Sequence, residues 1–156
     1  MATKAQNTQI FFLKAGSPSE AVKLGRITGF DGLGGTASEI DASHLESVRR
    51  EFLRGLRDGG TVSITILLDP TEDSHSDFFA LDDDGDPTAW CVALSDGTAA
   101  PTVSVPGVFV PPANRSSFIF SAFVQQATIS GQVDGLVEVS AQLRVTGDIA
   151  RSLYNP

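Results

Sequence analysis

Residues 39–70 read EIDASHLESVRREFLRGLRDGGTVSITILLDP, and this stretch decides the fold. It ends in a period-two run, with Val62, Ile64, Ile66 and Leu68 on one side and Thr61, Ser63 and Thr65 on the other. Such alternation marks a half-buried β-strand. The stretch opens on a second strand-like piece, Glu39-Ile40-Asp41. Between the two, Val48, Phe52 and Leu56 recur every fourth residue, a spacing that would carry them on one side of successive helical turns. Arg49, Arg50, Arg54 and Arg57 share this segment, Gly55 interrupts it, and Asp58-Gly59-Gly60 closes it with turn chemistry. A connection of about fifteen residues between paired strands is long for a compact domain unless it is functional. Two readings are open: a solvated loop with a short helical turn, or an arm whose arginines and apolar side chains dock on another protein.

The 156 residues are expected to form one domain, 1–156, large enough for a real core. An apolar fraction of 41% is that of a folded chain. No run approaches the ~18–20 apolar residues of a membrane span, so no membrane insertion is expected. The longest apolar run near the N-terminus, Ile10 to Leu13, is too short for a signal sequence. The chain is therefore expected to stay in the cytosol until it assembles. The single cysteine, Cys91, rules out an internal disulfide and a Cys-based zinc site, and within Ala89-Trp90-Cys91-Val92-Ala93 it reads as a buried small hydrophobe.

The net charge of −8 is unevenly spread. Residues 69–100 hold nine carboxylates and no lysine or arginine, whereas the 44–57 segment sets four arginines against Glu46 and Glu51. Separate patches of opposite sign let copies of one chain meet head to tail, the kind of contact that builds rings and stacks. An acidic chain is ill suited to gripping nucleic-acid phosphates. It can line a passage through which DNA slides.

Elsewhere, Gln9 to Lys14 reads as a first strand and 16–19 as the turn after it, with a second strand over 24–30. The glycines of 29–35 lack the Gly-Lys-Ser/Thr ending of a phosphate loop and read as a turn or bulge. Residues 73–81 fit a short helix capped by Asp73 or Ser74, with Phe78, Phe79 and Leu81 toward the core. Asp82-Asp83-Asp84-Gly85-Asp86 misses the calcium-loop pattern, because glycine stands fourth and Ala93 occupies the twelfth place. No metal site is expected. Trp90 to Leu94 is a strand, 101–105 an edge strand and 106–115 irregular, while Phe118-Ile119-Phe120 suits a strand covered on both faces. The last strand puts Val133, Val137, Val139, Ala141, Leu143 and Val145 on one face, and Asp134, Glu138, Ser140, Gln142, Arg144, Thr146 and Asp148 on the other. The expected fold is mainly β: an antiparallel sandwich or barrel with one short flanking helix and a long inter-strand arm over 42–60.

No catalytic arrangement emerges. His44 and His75 neighbour serines in sequence, but no Gly-x-Ser-x-Gly or His-Glu-x-x-His pattern exists and the carboxylates cluster on turns. Neither an enzyme nor a cofactor is expected.

The order Ile40-Asp41, Arg50-Glu51-Phe52, Gly55-Leu56-Arg57-Asp58-Gly59-Gly60, an alternating strand and Asp69-Pro70 resembles the tail tube (major tail) proteins of long-tailed bacteriophages. The closing strand from Gly135 to Gly147 is also similar, so the resemblance runs in order through most of the chain. It implies a β-sandwich subunit that forms six-membered rings, stacked into a hollow tail tube of the virion around a tape-measure protein. Tail terminator and tail-tip proteins are the further partners implied, assembly takes place in the host cytoplasm, and double-stranded DNA passes through during ejection. Carried onto this sequence, Arg49, Arg50, Phe52, Arg54, Leu56 and Arg57 are the candidate inter-ring and inter-subunit contacts, since aromatic and arginine side chains dominate interface energetics. Asp134, Glu138 and Gln142 are the candidates for lining the lumen, with Arg144 a departure from a purely acidic lining. Two alternatives stand beside this reading. One is a secretion-system inner-tube subunit of the same fold; the other is a β-sandwich carbohydrate-binding module, for which Trp90 and Tyr154 would be the scarce stacking aromatics.

Overall fold

The computed structural model describes residues 2–14, 19–104 and 107–156. Among them are eleven strands and one helix. In chain order these are β1 (Gln9–Lys14), β2 (Glu20–Leu24), β3 (Ile27–Asp31), β4 (Thr36–Asp41), β5 (Phe52–Asp58), β6 (Thr61–Leu67), α1 (Asp73–Asp84), β7 (Thr88–Ala93), β8 (Thr102–Ser104), β9 (Val108–Val110), β10 (Ser117–Ser130) and β11 (Glu138–Ser152). Seven form one antiparallel sheet in the order β2-β1-β7-β10-β11-β6-β3. Hairpins β4–β5 and β8–β9 stand outside it.

The two longest strands make the sandwich. One half of β10 pairs with β7 through Ser117 to Ala122, while β11 pairs with β6 through Glu138 to Arg144. Register shifts between Ile119 and Ser121 and between Val124 and Gln126 interrupt the β10–β11 ladder. Bulges of this kind bend strands and sharpen their twist, so the β7 side folds over the β6 side. The enclosed core takes alternate residues from both halves: Ile10, Phe12, Trp90, Val92 and Phe120 from one, Val62, Ile64, Ile66, Val139, Ala141 and Leu143 from the other. Trp90 is its hub, with the Phe12 ring centroid at 5.3 Å, that of Phe78 at 6.3 Å, and its indole N–H donating to the Ala122 carbonyl at 3.2 Å. Buried tryptophans are stable where the polar end finds such a partner. On the opposite face of β1 and β7, Phe11, Leu13, Cys91 and Ala93 are covered by Phe109 of β9. That second layer explains why β1, β7 and the start of β10 are apolar on both sides.

Helix α1 fastens the corner where edge strand β2 gives way to β3. The break falls at Gly25-Arg26, with Arg26 at φ 54°, so the expected single strand over 24–30 is two. Ser74 Oγ accepts the Gly25 N–H at 3.2 Å. His75 is 3% exposed; its Nδ1 accepts the Asp69 N–H at 3.1 Å, which leaves Nε2 to donate to the Gly25 carbonyl at 3.0 Å. Arg26 and Asp69 complete the corner with a 2.7 Å ion pair. His75→Ala is expected to destabilise the fold by about 2–4 kcal/mol, because it orphans two part-buried backbone groups and leaves a cavity. A denaturant midpoint lowered in proportion, with an unchanged slope, is the check.

Several expectations change. The helix is longer than 73–81 and ends at Gly85, whose φ of 71° permits the left-handed cap. Glu72 takes the N-cap place without a side-chain bond, since the Ser74 hydroxyl is committed to Gly25. Residues 106–115 hide strand β9, and its partner β8 pairs only with it, outside the main sheet. The turn expected at 16–19 lies outside the described residues except for Ser19, as do Val105 and Pro106. Val133 and Val137 are not core residues: β11 starts at Glu138, the turn before it lifts both out of the sheet, and Val133 is fully exposed.

Candidate functional site

The 42–60 arm is half of an antiparallel ribbon, β4–β5, and contains no helix. A spacing of four residues is both one helical turn and two strand periods, so the recurrence of Val48, Phe52 and Leu56 fits a strand as well as a helix. Pairing with β4 decides for the strand. At Gly55 a Cβ would meet the Ser38 hydroxyl and, at 3.2 Å, its carbonyl on the facing strand, so glycine eases the close approach of β4 and β5 there. The register sets Glu39 opposite Arg54, Asp41 opposite Phe52 and Ile40 opposite Leu53. A register shift between Ala37 and Glu39 sets Ala37 opposite Arg57, so Arg57 shares the face of Phe52 and Arg54 while Leu56 falls on the Leu53 face; Arg49 and Arg50 sit in the loop at the ribbon's far end. The six residues expected to make contacts are therefore divided between two faces and a tip. Ile40 and Leu53 join them, a pair missed because nothing in the sequence alone sets β4 against β5.

Almost nothing in this ribbon is buried. Leu45 and Val48 are fully exposed, Leu56 is 89% exposed, and Ile40, Phe52 and Leu53 are more than half exposed. Two-stranded ribbons are marginal in water on their own. A concentration of large exposed apolar side chains marks an interaction surface. Among the described residues, none of Arg49, Arg50, Arg54 and Arg57 forms an ion pair.

The root of the ribbon, in contrast, is fixed to the sheet. The Asp58 carboxylate accepts the Gly60 N–H at 2.9 Å and pairs with Arg144 of β11 at 2.7 Å, while the Gly60 carbonyl accepts the Val145 N–H at 3.0 Å. The Gly60 N–H, and after it the Arg144 guanidinium, hold the Asp58 carboxyl below its ordinary 3.8. A depressed carboxylate adds stability that is full above its unfolded value and is lost as pH falls through the folded one. The root is thus expected to loosen only in acid below pH 3.8. In an NMR titration Asp58 should show a midpoint below that value, moving up in Arg144→Ala.

The uncovered face of the β3–β6–β11–β10 half forms polar rungs. Asp31, Ser63, Gln142 and Gln126 align across four strands; Gly29, Thr65, Ser140 and Thr128 form the next row, and Leu67, Glu138 and Ser130 the next. Glu138 and Gln142 both lie on this face, exposed. Asp134 does not. It belongs to the 131–137 turn at the end of β11. Arg144, the positive residue on the same face, has Asp58 as its counter-ion.

The groups with possible chemistry are engaged elsewhere. His75 commits both ring nitrogens to backbone, and His44 Nδ1 meets Ser47 Oγ at 2.8 Å within one exposed turn. Burial pushes the Cys91 thiol up to about 12. Asp82, Asp83 and Asp84 form the last turn of α1, and no cluster of three metal-ligating side chains occurs among the described residues. Trp90 is buried in the core and so is not a stacking platform for sugars.

The comparisons bear on the family and the fold. The family model described as "Phage tail tube, TTP, lambda-like" matches residues 1–153. A protein of Pseudomonas phage PAJU2 described as "Structural protein 3" is 27% identical over 149 residues, 93% of this chain and 90% of that protein. The tail of an empty gene transfer agent (GTA) particle, refined with C6 symmetry, superposes with a TM-score of 0.70 at 14% identity, over 97% of this chain and 100% of that one. The SPP1 tail tube gives a TM-score of 0.69 at 12% identity, over 96% and 78%. The solved structures speak for the fold, and the family match speaks for the whole chain. This is a structural protein of the phage tail, and it belongs to the lambda-like phage tail tube family.

Proposed function

We propose that six copies of the chain close into a ring and that rings stack into the hollow tube of the tail, with the β4–β5 ribbon as the contact between rings and between subunits. The observation that carries this is the ribbon itself: a fixed root, exposed apolar side chains on both faces, and arginines with no ion-pair partner among the described residues. A similar fold in a C6-symmetric tail supports six-fold closure. Phe52, Leu56, Arg49, Arg50, Arg54 and Arg57 supply the anchors and charges of that contact.

The rung face of β6, β11 and β10 lines the lumen, with Glu138 and Gln142 on it and Asp134 at its end. Its side chains are mostly hydroxyls and amides, and its single arginine is paired with Asp58. Such a surface offers DNA phosphates little cationic grip, which suits a conduit. A tape-measure protein occupies the lumen before ejection, terminator and tip proteins close the ends, and assembly takes place in the host cytoplasm.

Negative-stain electron microscopy of the purified protein over a concentration series tests the reading. Hollow tubes or six-fold rings are expected. Monomers that persist even when tail-tip and tape-measure proteins are supplied would overturn it.

A further inference from the structure

We infer that the arm of one copy docks on the β10–β11 turn, residues 129–138, of the copy in the next ring; this rests on the stacked-ring function proposed above and names the receiving surface. Strand β6 separates the two features. Thr61, next to the arm root, lies opposite Arg144, and Leu67, at the far end of β6, lies opposite Glu138. At ~3.3 Å per residue the arm root and the turn are therefore about 20 Å apart, at opposite ends of the same half-sheet. A contact between opposite ends of identical copies is heterologous and leaves a free arm and a free turn at each step, as an open stack requires.

The turn also has the right chemistry. Val133 and Leu136 stand out of it, 103% and 69% exposed, with Ile129 and Val137 beside them. No structural need within the subunit accounts for four exposed aliphatic residues in a ten-residue segment whose other side chains are polar. Its two charges, Asp134 and Glu138, are both negative, and neither forms an ion pair among the described residues. The arm offers the complement: Phe52, Leu56, Leu45 and Val48 for the aliphatic groups, and Arg49, Arg50, Arg54 and Arg57 for the carboxylates. The turn is itself anchored, since the Leu68 N–H donates to the Val137 carbonyl at 2.8 Å and the Gly135 N–H to that of Gln132 at 3.1 Å. It thus presents these side chains on a fixed loop.

The test uses two variants of the full chain, singly and mixed. The arm variant is Arg50→Glu with Arg54→Glu; the turn variant is Asp134→Arg with Leu136→Ser. All four positions are exposed, so both variants should melt with the wild type. Each alone is expected to raise the concentration needed for head-to-tail association, measured by sedimentation, at least tenfold. Mixed in equal amounts, they retain one intact arm and one intact turn, and are expected to form a capped one-to-one assembly that does not elongate. A turn variant that associates like wild type while the arm variant does not would overturn the receiving surface and leave the arm's role standing. Wild-type tubes matched by tubes of the arm variant would remove the arm itself. Wild-type protein with no self-association at millimolar concentration would also overturn the contact.

Discussion

The double substitution Arg50→Glu with Phe52→Ala is expected to leave the subunit folded and to abolish tube growth. Arg50 is exposed in the arm's end loop and Phe52 is 52% exposed on β5, and neither belongs to a core cluster. Their loss should move the melting temperature of the isolated subunit by no more than a surface substitution does, within about 0.5 kcal/mol. At an interface the same side chains count for far more. A buried aromatic anchor and a paired arginine cost on the order of 2 kcal/mol each when removed, and each 1.4 kcal/mol is a factor of ten in affinity. Placing a glutamate where a carboxylate is to be met adds repulsion to the loss of attraction. The concentration required for assembly should therefore rise by roughly a thousandfold. Electron microscopy and sedimentation read the outcome directly, and tubes of normal length from the double variant would dismiss the arm as the assembly contact.

Arg115→Met is expected to cost about 3–5 kcal/mol of stability, because each buried acceptor left without its hydrogen bond costs about 1–3 kcal/mol. The side chain is 1% exposed. Its Nε donates to the Leu94 carbonyl at 2.5 Å; Nη1 donates to Gln9 Oε1 at 3.0 Å and Ala99 O at 2.9 Å, and Nη2 to Ala93 O at 3.1 Å and Asn7 O at 3.4 Å. One guanidinium thus ties the N-terminal segment, the end of β7 and the 94–99 loop to the start of β10. Asp96 completes the junction by accepting the Ser116 N–H. A methionine fills much of the volume but strands four carbonyls and a side-chain amide. Lysine keeps the charge without the planar fork, so Arg115→Lys should recover only part of the loss. The denaturant midpoint gives the size of the effect. A variant that unfolds with the wild type would show that water satisfies those carbonyls.

Local pattern made most of the strands legible. The alternation of 61–68 and of 139–145 gave β6 and the paired half of β11, because a sheet face buried against a core imposes a period of two that survives any neighbour. The apolar runs at 10–13 and 90–93 announced strands and that at 118–120 a strand covered on both sides; the second covering layer is the β8–β9 hairpin. Of that hairpin, β8 was legible as the edge strand over 101–105 but β9 was not: three residues among prolines carry too little pattern, and Phe109 reads as core only once it is seen over Cys91. The candidate surface was legible in composition but not in form. Its residues were singled out from arginines and apolar side chains in a long connection, yet their spacing of four fits helix and strand alike. Only the pairing of β5 with β4, between residues distant in sequence, resolves it.

By itself, then, the sequence determined the β class, the short helix and the place of the arm, and its order of motifs pointed to the tail tube family. Those are properties of neighbouring residues and of their succession. The tertiary structure decided what depends on which distant residues meet. It set Asp58 against Arg144, turned Asp134 off the sheet face that holds Glu138 and Gln142, and buried Arg115 among carbonyls far away in sequence. It also placed the arm and the β10–β11 turn at opposite ends of one half-sheet, since strand register, which no local pattern contains, fixes where the ends of an antiparallel ladder fall.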